Sequence, residues 1–314
     1  MKVLLPTSVP RGLHLDNDQR EVQVIAYDPE EPIPAHHRDA EVVVAWMNPR
    51  HQVVAMAESL PNLRWVQCLG SGPESFLTAG FGPQVSITRG VDLHNVPVAE
   101  HCIALLLAAA RRLDLARDAQ STSRWAGELG GNQLETRSGF TRIHGSRFVI
   151  WGLGRIGHAI ADRLTAMGGS VRGLGRSAGV RDGIRVASVE DAGEVLADAD
   201  ALIAVLPDRP STTKVIDRSI FEQLPTHSWF VNVGRGRTVD EHALVEALRQ
   251  GTIGGAALDV FAEEPLPGDS PLWSAPNVII TPHSAGGRPE GVDELVNENL
   301  RRYRAGRSLL GLMH

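Results

Sequence analysis

The segment Arg147-Phe148-Val149-Ile150-Trp151 runs straight into Gly152-Leu153-Gly154-Arg155-Ile156-Gly157, and His158 to Met167 follows with apolar residues at Ile160, Ala161, Leu164 and Met167. The first piece has the make-up of a buried strand and the last the apolar spacing of a helix, with the glycines in the turn between them. Gly152 permits a tight turn, Gly154 has no side chain to keep the backbone from an anion, and Gly157 lets the helix pack closely. Amides at the start of the helix would then face the anion. A lone G-x-G-x-x-G is weak in a chain with 32 glycines, but here Gly168-Gly169 ends the helix and a second short strand, Ser170 to Leu174, comes next. That context makes the motif a holder of a dinucleotide pyrophosphate.

The rest of the chain repeats the alternation. Short apolar strands are expected at Val3 to Pro6, Val22 to Ala26, Val42 to Trp46 and Trp65 to Leu69, and beyond the motif near Ala201 to Leu206, Ser228 to Val233, Ala256 to Val260 and Val278 to Thr281. Strands alternating with helical stretches predict parallel sheets covered on both faces. Between the two groups, Val98 to Gln120 is expected to be one long helix whose block from Ile103 to Ala110 is too apolar to stay exposed. Ser121 to Thr141, with Trp125, Gly130-Gly131 and Phe140, has no clear period and reads as an excursion. Glu294 to Arg304 is helical by pattern, with Gly306 as its stop, and could pass back to the N-terminal domain.

Composition narrows the function. The 314 residues suffice for two domains, and a formal charge of -6 offers no general attraction to nucleic acid or to an acidic membrane. No apolar run approaches the roughly 20 residues of a membrane span, and no secretory leader is apparent, so the expectation is cytoplasmic. Cys68 and Cys102, the only cysteines, read as packed thiols of a reducing compartment. Lys2 and Lys214 are the only lysines, which leaves Schiff-base chemistry almost no candidates, and no phosphate-binding G-x-x-x-x-G-K motif occurs.

Three segments after the motif each carry a reactive side chain just past a strand, where open parallel sheets hold their ligands. They are Val231-Asn232-Val233-Gly234-Arg235-Gly236, Leu258-Asp259-Val260-Phe261-Ala262-Glu263-Glu264-Pro265, and Thr281-Pro282-His283-Ser284-Ala285-Gly286. Flanking glycines are expected to leave a ligand room to reach Arg235, whose guanidinium can hold a carboxylate by two bonds. A histidine with a carboxylate partner is the usual device for proton transfer near neutral pH. Singly, each residue could be a solvated arginine, a structural histidine or a loop charge. In order, at strand ends and behind a dinucleotide motif, they read as a unit.

In these segments, and in Leu206-Pro207 with Thr212, Arg237-Thr238-Val239-Asp240-Glu241, Pro271-Leu272-Trp273 and Pro276 to His283, the chain resembles the D-2-hydroxyacid dehydrogenase family over essentially its full length. The resemblance implies two doubly wound parallel-sheet domains: a Rossmann cofactor domain (95–283) and a smaller flavodoxin-like substrate domain, discontinuous in sequence (1–94 with 284–314). It implies a glyoxylate/hydroxypyruvate reductase-like enzyme that reduces a small 2-keto acid to the D-2-hydroxy acid with NAD(P)H, without a metal. His283 would be the acid/base, Glu264 its partner and Arg235 the substrate carboxylate's holder. Asp259 would meet the nicotinamide carboxamide, and Leu206, Pro207, Thr212 and Val233 would contact the cofactor. Gly70, Ser71 and Gly72 match the family's substrate-carboxylate loop, although Pro73-Glu74 stand where an apolar residue and an aspartate are common. His101, after Glu100 in Val96 to His101, reads as structural rather than metal-binding. The family also implies a homodimer built on the Val98 to Gln120 segment. A dinucleotide-sensing, corepressor-like scaffold is the competing reading.

NAD-selective relatives end the second strand with an acidic residue that takes the ribose hydroxyls. Here Gly175, Arg176 and Ser177 occupy that place. With no carboxylate to repel a 2′-phosphate and an arginine to pair with it, NADP(H) is expected to be preferred, NAD(H) remaining usable.

Overall fold

The computed structural model describes residues 1–9, 22–130 and 139–313. The chain divides into two compact units, Met1–His94 with Arg288–His314, and Asn95–Gly287.

In the first unit five parallel strands, β1 (Lys2–Pro6), β2 (Gln23–Tyr27), β3 (Val42–Ala45), β4 (Trp65–Cys68) and β5 (Ser86–Thr88), lie in the order β2-β1-β3-β4-β5. β3 and β4 are buried at every position, as strands covered on both faces must be. Alternate residues feed opposite layers: Leu4, Val43 and Val66 pack with Met56 and Phe76, whereas Val3, Val42 and Trp65 pack with Leu295, Val296 and Leu300. The helix Val292–Arg304 therefore covers the N-terminal sheet. Its Asn299 donates to Gln67 at 2.7 Å, and Gly306 turns the chain with φ 62°.

The second unit carries β6 (Arg147–Trp151), β7 (Ser170–Gly175), β8 (Gly179–Arg181), β9 (Ile184–Ser188), β10 (Ala201–Ala204), β11 (Trp229–Asn232), β12 (Gly255–Leu258) and β13 (Val278–Ile280). Their order is β13-β12-β11-β10-β6-β7-β9-β8, parallel except for the edge hairpin of β8 with β9. From β6 the chain winds outward through β7 and β9, then returns to start β10 on the other side of β6. The crevice beyond the carboxyl ends of β6 and β10 is thus the switch point where such sheets bind ligands.

The long helix expected over Val98 to Gln120 is two helices, Asn95–Arg111 and Leu113–Ser121. Arg112 between them takes a left-handed conformation (φ 51°), which interrupts the hydrogen-bond ladder. Its guanidinium is tied to Asp114 at 3.1 Å and to Asn277 at 3.0 Å. The first helix buries Val98, Ala99, Cys102, Leu105 and Leu106; the second buries only Ala119 and leaves Leu113 53% exposed, so apolarity there did not translate into burial within the unit. Phe140 packs edge-on against Phe148, while Gly131 of the expected excursion lies outside the described residues. Among the described residues no helix is long and apolar enough to cross a membrane.

Candidate active site

The glycine turn is built as an open cradle. Gly152 has φ +110°, a conformation L side chains rarely adopt, and a Cβ there would lie 2.6 Å from the Val205 carbonyl oxygen. A Cβ on Gly157 would meet the Gly152 oxygen at 2.3 Å, so this glycine lets the helix start against the turn itself. A Cβ on Gly154, by contrast, would meet nothing within 4 Å. Leu153 is buried, Gly154 and Arg155 are exposed, Ile156 is half-buried, and the Arg155–Ala166 helix begins without a side-chain cap. Helix-start amides behind an open glycine face fit a pyrophosphate. Across the switch point Leu206 is buried and Pro207 exposed; the Thr212 hydroxyl donates to the Pro207 carbonyl at 2.6 Å, closing that loop on itself.

At the far strand ends Glu264 and His283 are bonded to each other, and the charge of Arg235 acts on Glu264. Glu264 Oε2 accepts from His283 Nδ1 at 2.6 Å and its Oε1 accepts from the Phe261 amide at 2.9 Å. Burial alone would raise the Glu264 carboxyl, but these two bonds and the charges of His283 and Arg235 hold it below the ordinary carboxylate range. Nδ1 is therefore the donor to Glu264, and Nε2 has no partner among the described residues. His283 sits at φ 50°, uncommon for a residue with a Cβ.

That conformation is held from Asp259, which is buried. The His283 amide donates to the Asp259 carbonyl at 2.7 Å, and the Asp259 carboxylate accepts from the Thr281 hydroxyl (2.6 Å) and from the amides of Ser284 (2.9 Å) and Ala285 (3.0 Å). His101 Nε2, from the Asn95–Arg111 helix, lies 3.3 Å from the carboxylate and 3.0 Å from Thr281 Oγ1. Burial opposes ionisation, yet these donors outweigh it and hold the Asp259 carboxyl at about 2. Both carboxylate oxygens thus already have partners inside the unit, a role as clamp of the Thr281 to Ala285 turn that the sequence did not signal.

Arg235 donates from Nη1 to the Gly234 carbonyl at 2.8 Å and is half-buried beside buried Val233. The glycines around it do not make ligand space, contrary to the expectation: a Cβ on Gly234 would lie 2.7 Å from the Leu206 nitrogen, and one on Gly236 1.8 Å from the Phe261 carbonyl carbon. They let neighbouring loops pack against the arginine's backbone, fixing the base from which its side chain projects.

In the first unit, half-buried Gly70, Ser71 and Gly72 form a loop pinned at one end. The Gly90 amide donates to the Gly70 carbonyl at 2.8 Å and His94 Nε2 donates to the Leu69 carbonyl at 2.7 Å. Cys68, just before the loop, and Cys102 are buried, and burial pushes both thiols up.

At the end of β7, Gly175 is followed by exposed Arg176 and Ser177 and by a hairpin that the strand expectations omitted. Asp182 (φ 48°) and Gly183 (φ 83°) form its two-residue turn, the left-handed pair a tight hairpin needs. Asp-Gly between Val180 and Ile184 was the available signal.

Residues 103–285, more than half of the chain, match the family described as "D-isomer specific 2-hydroxyacid dehydrogenase, NAD binding domain". Glyoxylate/hydroxypyruvate reductase B of Enterobacter sp. (strain 638) is 31% identical over 84% of each chain. Among solved structures, a D-isomer specific 2-hydroxyacid dehydrogenase family protein of Aeromonas salmonicida superposes with a TM-score of 0.83 at 28% identity, covering 100% of this chain and 98% of its own. An NADPH-dependent glyoxylate/hydroxypyruvate reductase of Sinorhizobium meliloti, in complex with NADP and sulfate, superposes with a TM-score of 0.78 at 26% identity over 99% of this chain and 98% of its own. With its parallel sheets, open glycine turn and strand-end arginine, glutamate and histidine, this chain belongs to the D-isomer specific 2-hydroxyacid dehydrogenases and is an NAD(P)-dependent oxidoreductase of that family.

Proposed function

We propose that the enzyme reduces a small 2-keto acid of the glyoxylate or hydroxypyruvate class to the D-2-hydroxy acid, preferring NADPH, with His283 as proton donor. The observation that carries this reading is the 2.6 Å bond from His283 Nδ1 to Glu264, which leaves Nε2 as the exchangeable position. Nicotinamide dinucleotide, when bound, supplies the hydride to the keto carbon. Gly152, Gly154, Arg155, Ile156 and Gly157 would hold its pyrophosphate, and Gly175, Arg176 and Ser177 the adenosine ribose.

Arg235 orients the substrate through its carboxylate and offsets the negative charge that grows on the keto oxygen. Nε2 of the imidazolium gives its proton to that oxygen, and Glu264 stabilises the charged ring beforehand and keeps it turned. In the first unit, the amides of Ser71 and Gly72 would form a small anion-binding loop of their own. Asp259 keeps the turn that carries His283 in place, and any contact it makes with the carboxamide comes in addition to that. The relatives' named activities and the NADP held by the Sinorhizobium structure support the substrate class and the cofactor choice.

We also propose a homodimer, supported by Leu113 and Leu115, large apolar side chains that stand 53% and 38% exposed on the Leu113–Ser121 helix. Light scattering at micromolar concentration should return twice the mass of 33.9 kDa; a monomer contradicts it. Initial rates with glyoxylate, hydroxypyruvate and pyruvate, each with NADPH and NADH, test the activity. Turnover of glyoxylate or hydroxypyruvate with NADPH well above NADH is expected, and no turnover of any 2-keto acid overturns the assignment.

A further inference from the structure

We infer that Arg181, on the β8 edge strand, is the second cation of a two-arginine clamp that selects a ribose 2′-phosphate. The inference rests on the reading that this enzyme prefers NADP(H), and it assigns the discrimination to a residue outside the strand-end motif.

Placement is the first ground. The Asp182-Gly183 turn pairs Arg181 with Ile184 and folds β8 back along β9, which itself pairs with β7 through Gly175 and Ser188. This register sets the Arg181 backbone level with the start of β7, and it is the long side chain that reaches back to the strand's end. A Cβ built on Gly175 would lie 3.4 Å from Arg181 Nη1 and 3.7 Å from Nη2. The guanidinium stands beside the position where NAD-selective sheets carry their ribose-binding carboxylate. An acidic residue at 175 would pair with Arg181 and cancel its charge, whereas glycine leaves that charge in place.

The second ground is the arginine's set of partners. Arg181 Nη2 reaches the Ser177 carbonyl oxygen at 3.4 Å and its hydroxyl at 3.3 Å, both weak bonds to neutral acceptors. Neither Arg176 nor Arg181 has a carboxylate partner among the described residues. The nearest acid in sequence, Asp182, places Oδ2 3.1 Å from His158 Nε2, on the helix that follows the glycine turn. Two exposed guanidiniums and a serine hydroxyl, with no acid to balance them, match a phosphate monoester dianion: planar donors for its oxygens and two positive charges for its own. A ribose with a free 2′-hydroxyl has no charge to repay their desolvation.

The test measures binding directly. Kd values for NADPH and NADH, from nucleotide fluorescence, and for adenosine 2′,5′-bisphosphate and 5′-AMP, from calorimetry, are compared in wild type, Arg181→Ala, Arg181→Lys and Arg176→Ala. Arg181 is exposed, so the variants should fold, and circular dichroism checks that they do. The expected result is a loss of about tenfold in affinity for NADPH and for the bisphosphate in Arg181→Ala, with NADH and 5′-AMP changed less than twofold and Arg181→Lys in between. If wild type prefers NADPH and Arg176→Ala weakens it while Arg181→Ala does not, the clamp is wrong and the cofactor reading survives. Equal losses for the phosphorylated and unphosphorylated ligands in Arg181→Ala also overturn the clamp. If wild type prefers NADH, the cofactor reading fails and the clamp fails with it.

Discussion

Two ends of the second unit's sheet are built on opposite terms. At the β11 to β13 end, the buried Asp259 carboxylate takes bonds from Thr281, Ser284 and Ala285 and the Glu264 carboxylate takes them from His283 and Phe261, so the imidazole, although exposed, is fixed by a side-chain bond and by a turn anchored on a buried group. At the β7 to β9 end, Arg176, Ser177 and Arg181 are exposed and their geometry comes from a hairpin backbone and one pair of weak bonds. A group that must present a proton at one point gains from being immobilised before the reaction. A group that reads a charge on a flexible ribose needs only to be near and unpaired. The first end should therefore fail steeply when a partner is removed and the second gradually.

The largest effect belongs to His283. Replacing it with alanine should lower kcat by about 10³-fold while NADPH still binds with near wild-type affinity, because the proton donor is lost and the glycine cradle is not. Loss of cofactor binding in parallel with turnover would erase the contrast between the two ends. Asp259→Asn comes next. An amide cannot accept from every donor the carboxylate serves, so one buried N–H is orphaned, at a cost of about 2 kcal/mol. That corresponds to a fall in Tm of roughly 5 °C by calorimetry.

The same carboxylate makes an acid-side prediction. Its carboxyl is lowered from 3.8 to about 2, so its stabilisation is complete above the unfolded value and disappears as pH falls through the folded one. Denaturant titrations should show wild type and Asp259→Asn converging between about pH 4 and pH 2; a constant gap would mean that the carboxylate's charge is not what holds the turn.

Glu264→Gln should cost about tenfold in kcat/KM for reduction, since the His283 ring loses the charged acceptor that orients it. A kcat/KM within about twofold of wild type would reduce Glu264 to a packing role. The smallest effect is expected at the exposed end: Arg176→Ala should weaken NADPH by about tenfold and leave both NADH binding and Tm near wild type. A fall in Tm comparable with that of Asp259→Asn would show the hairpin end to be as tightly built as the other, against the comparison drawn above.

Much of the molecule was legible before any coordinates. The apolar run of β6 ending in Gly152 to Gly157, and the strands that alternate with helices around it, follow from local rules: buried parallel strands are apolar at every position, and a phosphate turn needs glycine where backbone must come close. The ends of β11, β12 and β13 were likewise visible as segments, and with them Arg235, Glu264 and His283. Less legible was the break at Arg112, because the left-handed residue is stabilised by Asn277, far away in sequence. The hairpin had a local signal, Asp182-Gly183, but its strands are only three and five residues long and lack a continuous apolar run.

What tertiary structure alone decided is which atoms meet. Gly236 is required by the Phe261 backbone, Asp259 is spent on the turn that carries His283, and the Arg181 guanidinium reaches Gly175 from a backbone position level with the start of β7. Residue types and spacing determine which chemistry a chain can offer and at which strand end. They do not determine how the hydrogen bonds of a buried carboxylate are shared out, because that depends on donors brought from His101, Thr281 and Ala285 by helix packing and sheet register, both long-range in sequence.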